Sequence, residues 1–152
     1  MSIILAQECD LTVIKEISHA TIEAIYPHYY PSGAVAFFLN HHSDENIKYD
    51  ISNQHSFLCC NIKQTIVGTV TIRKNEILRL FVLPKYQGNG YGKELLDYAE
   101  KIIAESYNEI LIDTSLSAKS IYLKRGYSEA EYHSIKTENG DYLCYDTMKK
   151  QI

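Results

Sequence analysis

The stretch Gln87-Gly88-Asn89-Gly90-Tyr91-Gly92-Lys93 sets three glycines at alternate positions just before apolar residues at helical spacing. Glycines there let the backbone curl without Cβ clashes. The first N–H groups of the following helix then stand unpaired at the positive end of its dipole. Such a loop binds an anion, most naturally a phosphate or pyrophosphate. It is not a P-loop, because Gly88 and Gly92 enclose only three residues and Glu94 follows Lys93 where a hydroxyl ligand for Mg²⁺ is needed. The G-x-G-x-G spacing also departs from the dinucleotide fingerprint.

Other chemically capable residues give less definite patterns. Cys9, Cys59, Cys60 and Cys144 form no C-x-x-C pair, and no histidine cluster completes a tetrahedral metal site, so no metal is expected. They read as reduced packing residues, with no His or Asp placed to activate one as a nucleophile. Tyr26-Pro27-His28-Tyr29-Tyr30-Pro31 gathers three tyrosines and a histidine around two prolines. Tyr26, His28, Tyr29 and Tyr30 can wall a pocket for a cationic or aromatic amine, or form a packed turn between helices. Tyr142 and Tyr145 either line an opposite wall or pack. His41-His42 reads as the cap of a solvated helix end, and His55 and His133 fall on strand patterns.

The elements that position these residues follow from periodicity. Ile77 to Leu83 reads as a strand closed by Pro84, and Glu94 to Ala104 as a helix, so the glycine loop joins strand to helix. Ile110 to Thr114 is a buried strand, followed by a short helix from Ser117 to Arg125 that ends at Gly126. Upstream, Ser2 to Leu5 is a first strand. Leu11, Val13, Ile14, Ile17, Ile22 and Ile25 mark a helix to about Tyr26, stopped by Pro27. A second helical stretch carries Ala34, Val35, Phe37, Phe38 and Leu39, with a short turn from Ser43 towards Ile51. Ser56 to Ile62, Ile66 to Arg73 and Ile77 to Leu83 form an antiparallel meander. Glu129 to Ile135 and Tyr142 to Met148 flank the hairpin signal Glu138-Asn139-Gly140-Asp141.

With both stretches in view, the chain resembles the GNAT superfamily of N-acetyltransferases. Gln87, Gly90 and Gly92 match that family's Gln/Arg-x-x-Gly-x-Gly/Ala coenzyme A loop, and Val82 with Pro84 stands at its Val-x-Pro step. Ala118, Tyr122, Lys124, Gly126 and Tyr127 match a second pattern, Asn-x-x-Ala-x-x-x-Tyr-x-Lys-x-Gly-Phe/Tyr, with Ser115 in place of the usual Asn. The resemblance runs from Glu76 to Tyr127. It implies an α/β fold with a mixed, mostly antiparallel central sheet, helices on both faces and a V-shaped split between the two central strands.

It also implies acetyl transfer from acetyl-CoA to a primary amine of a small molecule or peptide, through a ternary complex. The implied cofactor contacts are Phe81, Val82, Leu83, Gln87, Gly88, Asn89, Gly90, Tyr91, Gly92, Lys93, Ser115, Ala118 and Tyr122. Loop amides would hold the pyrophosphate, and backbone groups of Phe81-Val82-Leu83 would pair with the pantetheine arm as an added strand does. Tyr122 aligns with a tyrosine near the coenzyme A sulfur and stands as general acid, or as a core tyrosine. Glu76 stands as a base acting through water, or as a solvated carboxylate. A homodimer is compatible with the family. Two other readings stay open: a catalytically weak CoA-binding sensor or interaction module, and a metal-free nucleotide-binding regulator.

Composition bounds these readings. A chain of 152 residues fits one domain, 1–152, with a core of its own. The net charge of −4 gives no general attraction to nucleic acid. No apolar run approaches the ~20 residues of a membrane helix, and Met1 to Asp10 lacks the pattern of a secretory signal. The expectation is a cytoplasmic protein, free of membrane and nucleic acid.

Overall fold

The computed structural model describes residues 1–152. Its elements run β1 (Ser2–Leu5), α1 (Leu11–Ile25), α2 (Ser32–His41), α3 (Asp44–Ser52), β2 (Ser56–Cys60), β3 (Ile66–Arg73), β4 (Glu76–Val82), α4 (Tyr91–Ala104), β5 (Glu109–Thr114), α5 (Lys119–Lys124), β6 (Ser128–Lys136) and β7 (Tyr142–Gln151). The seven strands form one sheet in the order β1-β2-β3-β4-β5-β7-β6. Every neighbouring pair is antiparallel except β4 with β5.

That parallel pair is brief. Only Glu76 with Leu111 and Ile77 with Ile112 are in register, so beyond Ile77 the two central strands part. This is the V-shaped split. Helices cover both faces, because adjacent β4 residues point to opposite sides. Phe81 packs with Ile17, Ile22, Tyr26 and Ala34 of the α1–α2 layer. Val82 packs with Leu95, Leu96, Ala99 and Ile103 of α4. In α1 the buried positions Ile14, Ile17, Ser18, Thr21 and Ile22 make one stripe. Ser18 and Thr21 tolerate burial by donating to the carbonyls of Ile14 and Ile17.

Two expectations change. The turn from Ser43 towards Ile51 is a helix, α3, whose Ser43 hydroxyl accepts from the Asn46 N–H at 3.3 Å and whose first turn carries Asp44 and Glu45. Both are start signals for a helix. His42 does not cap a solvated end; it is buried, and its ring meets Phe81 edge-on at 5.2 Å. No helix is long and apolar enough to cross a membrane.

Candidate active site

The glycine loop sits at the open end of the split. Gly88 and Gly90 adopt φ of 77° and 88°, a region that other L-residues enter only with strain. A Cβ added at either would meet nothing within 4 Å, so the loop backbone faces open space rather than packed protein. Gly90 is the residue before the first turn of α4, whose leading N–H groups open beside it.

Backbone groups of β4 complete the cleft. The Leu83 N–H donates to the Val67 carbonyl at 2.9 Å. The alternation of an antiparallel pair therefore turns the N–H and C=O of Val82 away from β3, into the split. The Gln87 amide donates to that carbonyl at 2.9 Å, and the Thr21 hydroxyl approaches it at 3.3 Å. The Val82 N–H is left facing the opening. The Gln87 side chain thus clamps the loop to its own strand.

This cleft has a volume of about 660 Å³ and extends over Gly88, Gly90, Gly92 and Lys93. Of the expected cofactor contacts, Phe81, Val82, Gln87, Ser115, Ala118 and Tyr122 also line it. Leu83, Asn89 and Tyr91 do not. Leu83 packs into the α1–α2 layer. The Asn89 amide closes the loop onto the carbonyls of Tyr86 and Gln87, and Tyr91 stands edge-on to Tyr86. The cleft also takes in Thr21 and Ile25 of α1, which sequence reasoning missed, and Lys124 and Arg125 of the second motif, which were not among the expected contacts. Arg125 is held by Asp97 and Glu100 of α4, which fixes α5 against the loop helix.

A second cavity of about 410 Å³ opens on the other side of the split. Phe37, Phe38 and Tyr145 supply apolar wall, and Glu76 and Asp113 stand at the start of β4 and near the end of β5. Tyr26, Leu80, Phe81, Ser115, Ala118 and Tyr122 line both spaces, so the two share one wall. Of the tyrosine loop, only Tyr26 reaches a cavity. His28 and Tyr29 point to solvent, Tyr29 with 52% of its surface exposed. Pro27 folds the segment into a single 3₁₀ turn that swings these two outward. Tyr30 turns inward as a tie instead: its hydroxyl accepts from the Leu116 N–H at 2.8 Å and donates to the Cys144 carbonyl at 3.1 Å. Burial pushes its phenol up to about 12.

Tyr122 lies at the shared wall, edge-on to Tyr127 at 5.5 Å. Burial raises its phenol pKa well above the ordinary value, with Tyr26 nearby adding to the shift. The hydroxyl therefore keeps its proton at every working pH. Burial likewise raises Tyr26, partly offset by a hydrogen bond to Ser115. Thr114 Oγ1, in the second cavity, is buried and has no hydrogen-bond partner. None of the four cysteines lines either space.

The floor of the second cavity holds a charge cluster invisible in the sequence. The Asp50 carboxylate, 1% exposed, takes Arg73 on one oxygen and Arg79 on the other, each at 2.7 Å. Arg79 also donates to Thr71 Oγ1 at 3.0 Å and to His42 Nδ1 at 3.1 Å. Arg79 sits in a bulge of β4, where it and Leu80 oppose Val70, and its φ is +42°. Such a conformation costs about 1–3 kcal/mol for a non-glycine residue. Its three partners hold it there. Burial pulls the His42 imidazole down to about 2, with the Arg79 guanidinium adding to the effect, so the ring is neutral and accepts from Arg79.

The fold agrees with that of known proteins. A family model described as an acetyltransferase (GNAT) domain matches residues 25–151. The chain belongs to the GNAT acetyltransferase family. As a GNAT protein it is an acyltransferase, and solved structures of that family share its fold. A GCN5-related N-acetyltransferase from Rhodopseudomonas palustris superposes with a TM-score of 0.89 at 23% identity, covering 99% of this chain and 95% of the other. A PaiA N-acetyltransferase from Thermoplasma acidophilum, solved in complex with coenzyme A, gives 0.71 at 24% identity over 100% of both chains. A ribosomal-protein-alanine N-acetyltransferase from Brucella melitensis gives 0.71 at 19% identity, again over 100% of both. No curated protein matches the sequence significantly.

Proposed function

We propose that this GNAT acetyltransferase moves an acetyl group from acetyl-CoA directly to a primary amine of a small molecule or peptide, both held in one ternary complex. The observation that carries the reading is the shared wall: one cleft built of glycine-loop backbone and one cavity built of side chains meet at Tyr26, Phe81, Ser115 and Tyr122. Two reactants placed across that wall gain the entropic advantage of a pre-formed encounter.

The residues present suit the cofactor. The loop amides beside Gly88 and Gly90 suit a pyrophosphate, Lys124 supplies a cation beside Lys93, which pairs with Asp97, and the Val82 N–H offers a hydrogen bond to an extended amide arm. Acetyl-CoA, when bound, supplies the acyl group as a thioester. Glu76 takes a proton from the amine through water. The bond from nitrogen to the acyl carbon forms as the carbon–sulfur bond breaks, and Tyr122 offers its retained proton to the leaving sulfur. Because burial makes Tyr122 a weak acid, its share is hydrogen-bond donation that completes as the sulfur gathers charge.

Calorimetric titration tests the reading, with acetyl-CoA as ligand and ATP and NAD as controls, followed by thiol-release assays on an amine panel. Micromolar binding of acetyl-CoA alone, with amine-dependent thiol release, is expected. Binding without turnover of any amine would favour a CoA sensor, and absence of binding would end the cofactor assignment.

A further inference from the structure

On the floor of the acceptor cavity, the Arg73–Asp50–Arg79 cluster taken by itself carries one positive charge more than it neutralises. Arg73 and Arg79 share the single carboxylate of Asp50. Of the two histidines that line the cavity, burial holds His42, and burial with Arg79 holds His41, below the ordinary imidazole value. Donors are left over as well. Arg79 spends Nε on His42 and Nη1 on Asp50 and Thr71, which leaves Nη2 free. Arg73 spends Nε and Nη2 on Asp50, which leaves Nη1. The Arg73 guanidinium lies over the Tyr49 ring at 5.1 Å, so its plane is fixed.

Beside this cluster the sign is reversed, since Glu76 is the cross-strand partner of Arg73. Glu76 makes no ion pair, and Asp113 is met only by the Thr147 hydroxyl at 2.7 Å. The apolar side chains of Phe37, Phe38 and Tyr145 line the rest of the cavity. Resting on the acyl-transfer reading above, we propose that the acceptor is a small amino carboxylate with an apolar or aromatic side chain, its carboxylate held by the free nitrogens of Arg79 and Arg73. Glu76 and Asp113 face its ammonium group. Planar guanidinium forks suit a carboxylate. One surplus positive charge matches one carboxylate, whereas a phosphate monoester would bring nearly two negative charges beside Glu76 and Asp113. A cavity of about 410 Å³ admits a molecule of this size rather than a folded partner.

Matched pairs test this, because each member differs only in the carboxylate: phenylalanine against 2-phenylethylamine, and leucine against 3-methylbutylamine. At saturating acetyl-CoA, kcat/KM from thiol release should favour the carboxylate-bearing member by about 10-fold or more, as expected for charge-assisted hydrogen bonds. Arg73→Gln should shrink that ratio by raising KM for the amino acids alone, and Arg73→Lys should restore part of it. Calorimetry on the same samples separates the two claims. Equal turnover of both members with intact acetyl-CoA binding overturns the carboxylate proposal and leaves acyl transfer standing. Loss of acetyl-CoA binding removes both. If no member is turned over, thermal stabilisation by the N-acetyl products with coenzyme A decides, and equal stabilisation by both product types overturns the proposal. A ratio unchanged by Arg73→Gln also overturns it.

Discussion

The two spaces that meet at Tyr122 are built from different materials. The glycine-loop cleft adds backbone groups to its side-chain walls: loop amides, the Val82 N–H and the leading turn of α4. The acceptor cavity is mainly side chain, drawn from α2, α3, β3, β4, β5 and the β6–β7 hairpin. A backbone site tolerates many side chains but depends on a few φ angles. A side-chain site can be retuned one residue at a time. This difference makes the two regions separable by experiment.

The largest effect should come from Gly90→Val. Valine resists φ near 88° and carries its branched side chain into the cleft, so acetyl-CoA affinity should drop on the order of 100-fold, with the circular dichroism spectrum retained. Unaltered affinity in calorimetry would break the claim that the cleft is a backbone site. Tyr122→Phe probes the boundary. Removing only the hydroxyl should lower kcat by about 100-fold while acetyl-CoA binding shifts little; full kcat would reduce Tyr122 to packing.

A third prediction concerns only the side-chain region. The imidazole of His42 is held at about 2 in the folded protein, against 6.5 in the open chain. A lowered histidine keeps the native state unprotonated while the unfolded state takes a proton, so stability declines as pH falls below 6.5. The slope is about 1.4 kcal/mol per pH unit, or about 2 kcal/mol between pH 6.5 and 5. His42→Gln should flatten that part of the curve in denaturant titrations, and an identical slope in the variant would contradict a neutral buried ring. The smallest effect is expected of Tyr30→Phe, which unties the loop at Leu116 from β7. A loss of about 1 kcal/mol in stability is expected, with a few-fold loss of kcat, measured by chemical denaturation and thiol release.

Legibility in the sequence follows the same divide. The glycine loop and the Ala118–Tyr127 pattern are contiguous, so their residue types alone announce a phosphate-binding turn and a following helix. The strand order around the split could be expected once those motifs were matched. The Asp50 cluster could not, since its members lie 8 to 37 positions from Arg79 or Arg73 and meet only through sheet pairing and a bulge. An arginine at positive φ inside a strand pattern carries no local sign of itself. Type and proline spacing leave Tyr26 to Tyr30 as either pocket wall or packed turn; His28 and Tyr29 are exposed, because a 3₁₀ turn alternates its faces too quickly for all four side chains to share one. The α3 helix was missed because its polar residues hide the period, although Ser43 with Asp44 and Glu45 marked its start.

The α2 helix and the β6–β7 hairpin are locked together at one point. The Gly33 N–H donates to Asp141 Oδ2 at 2.9 Å, and a Cβ at Gly33 would overlap the Asn139 side chain and crowd Thr137. Phe37 and Phe38 ride on one partner, and Ile135, Leu143 and Tyr145 on the other. For an engineer this pair is a cassette: transplanting the hairpin without its matching helix would set Asn139 against whatever residue replaced the glycine, while moving both together would carry Phe37, Phe38, Ile135, Leu143 and Tyr145 into a new host and leave the host's glycine loop untouched.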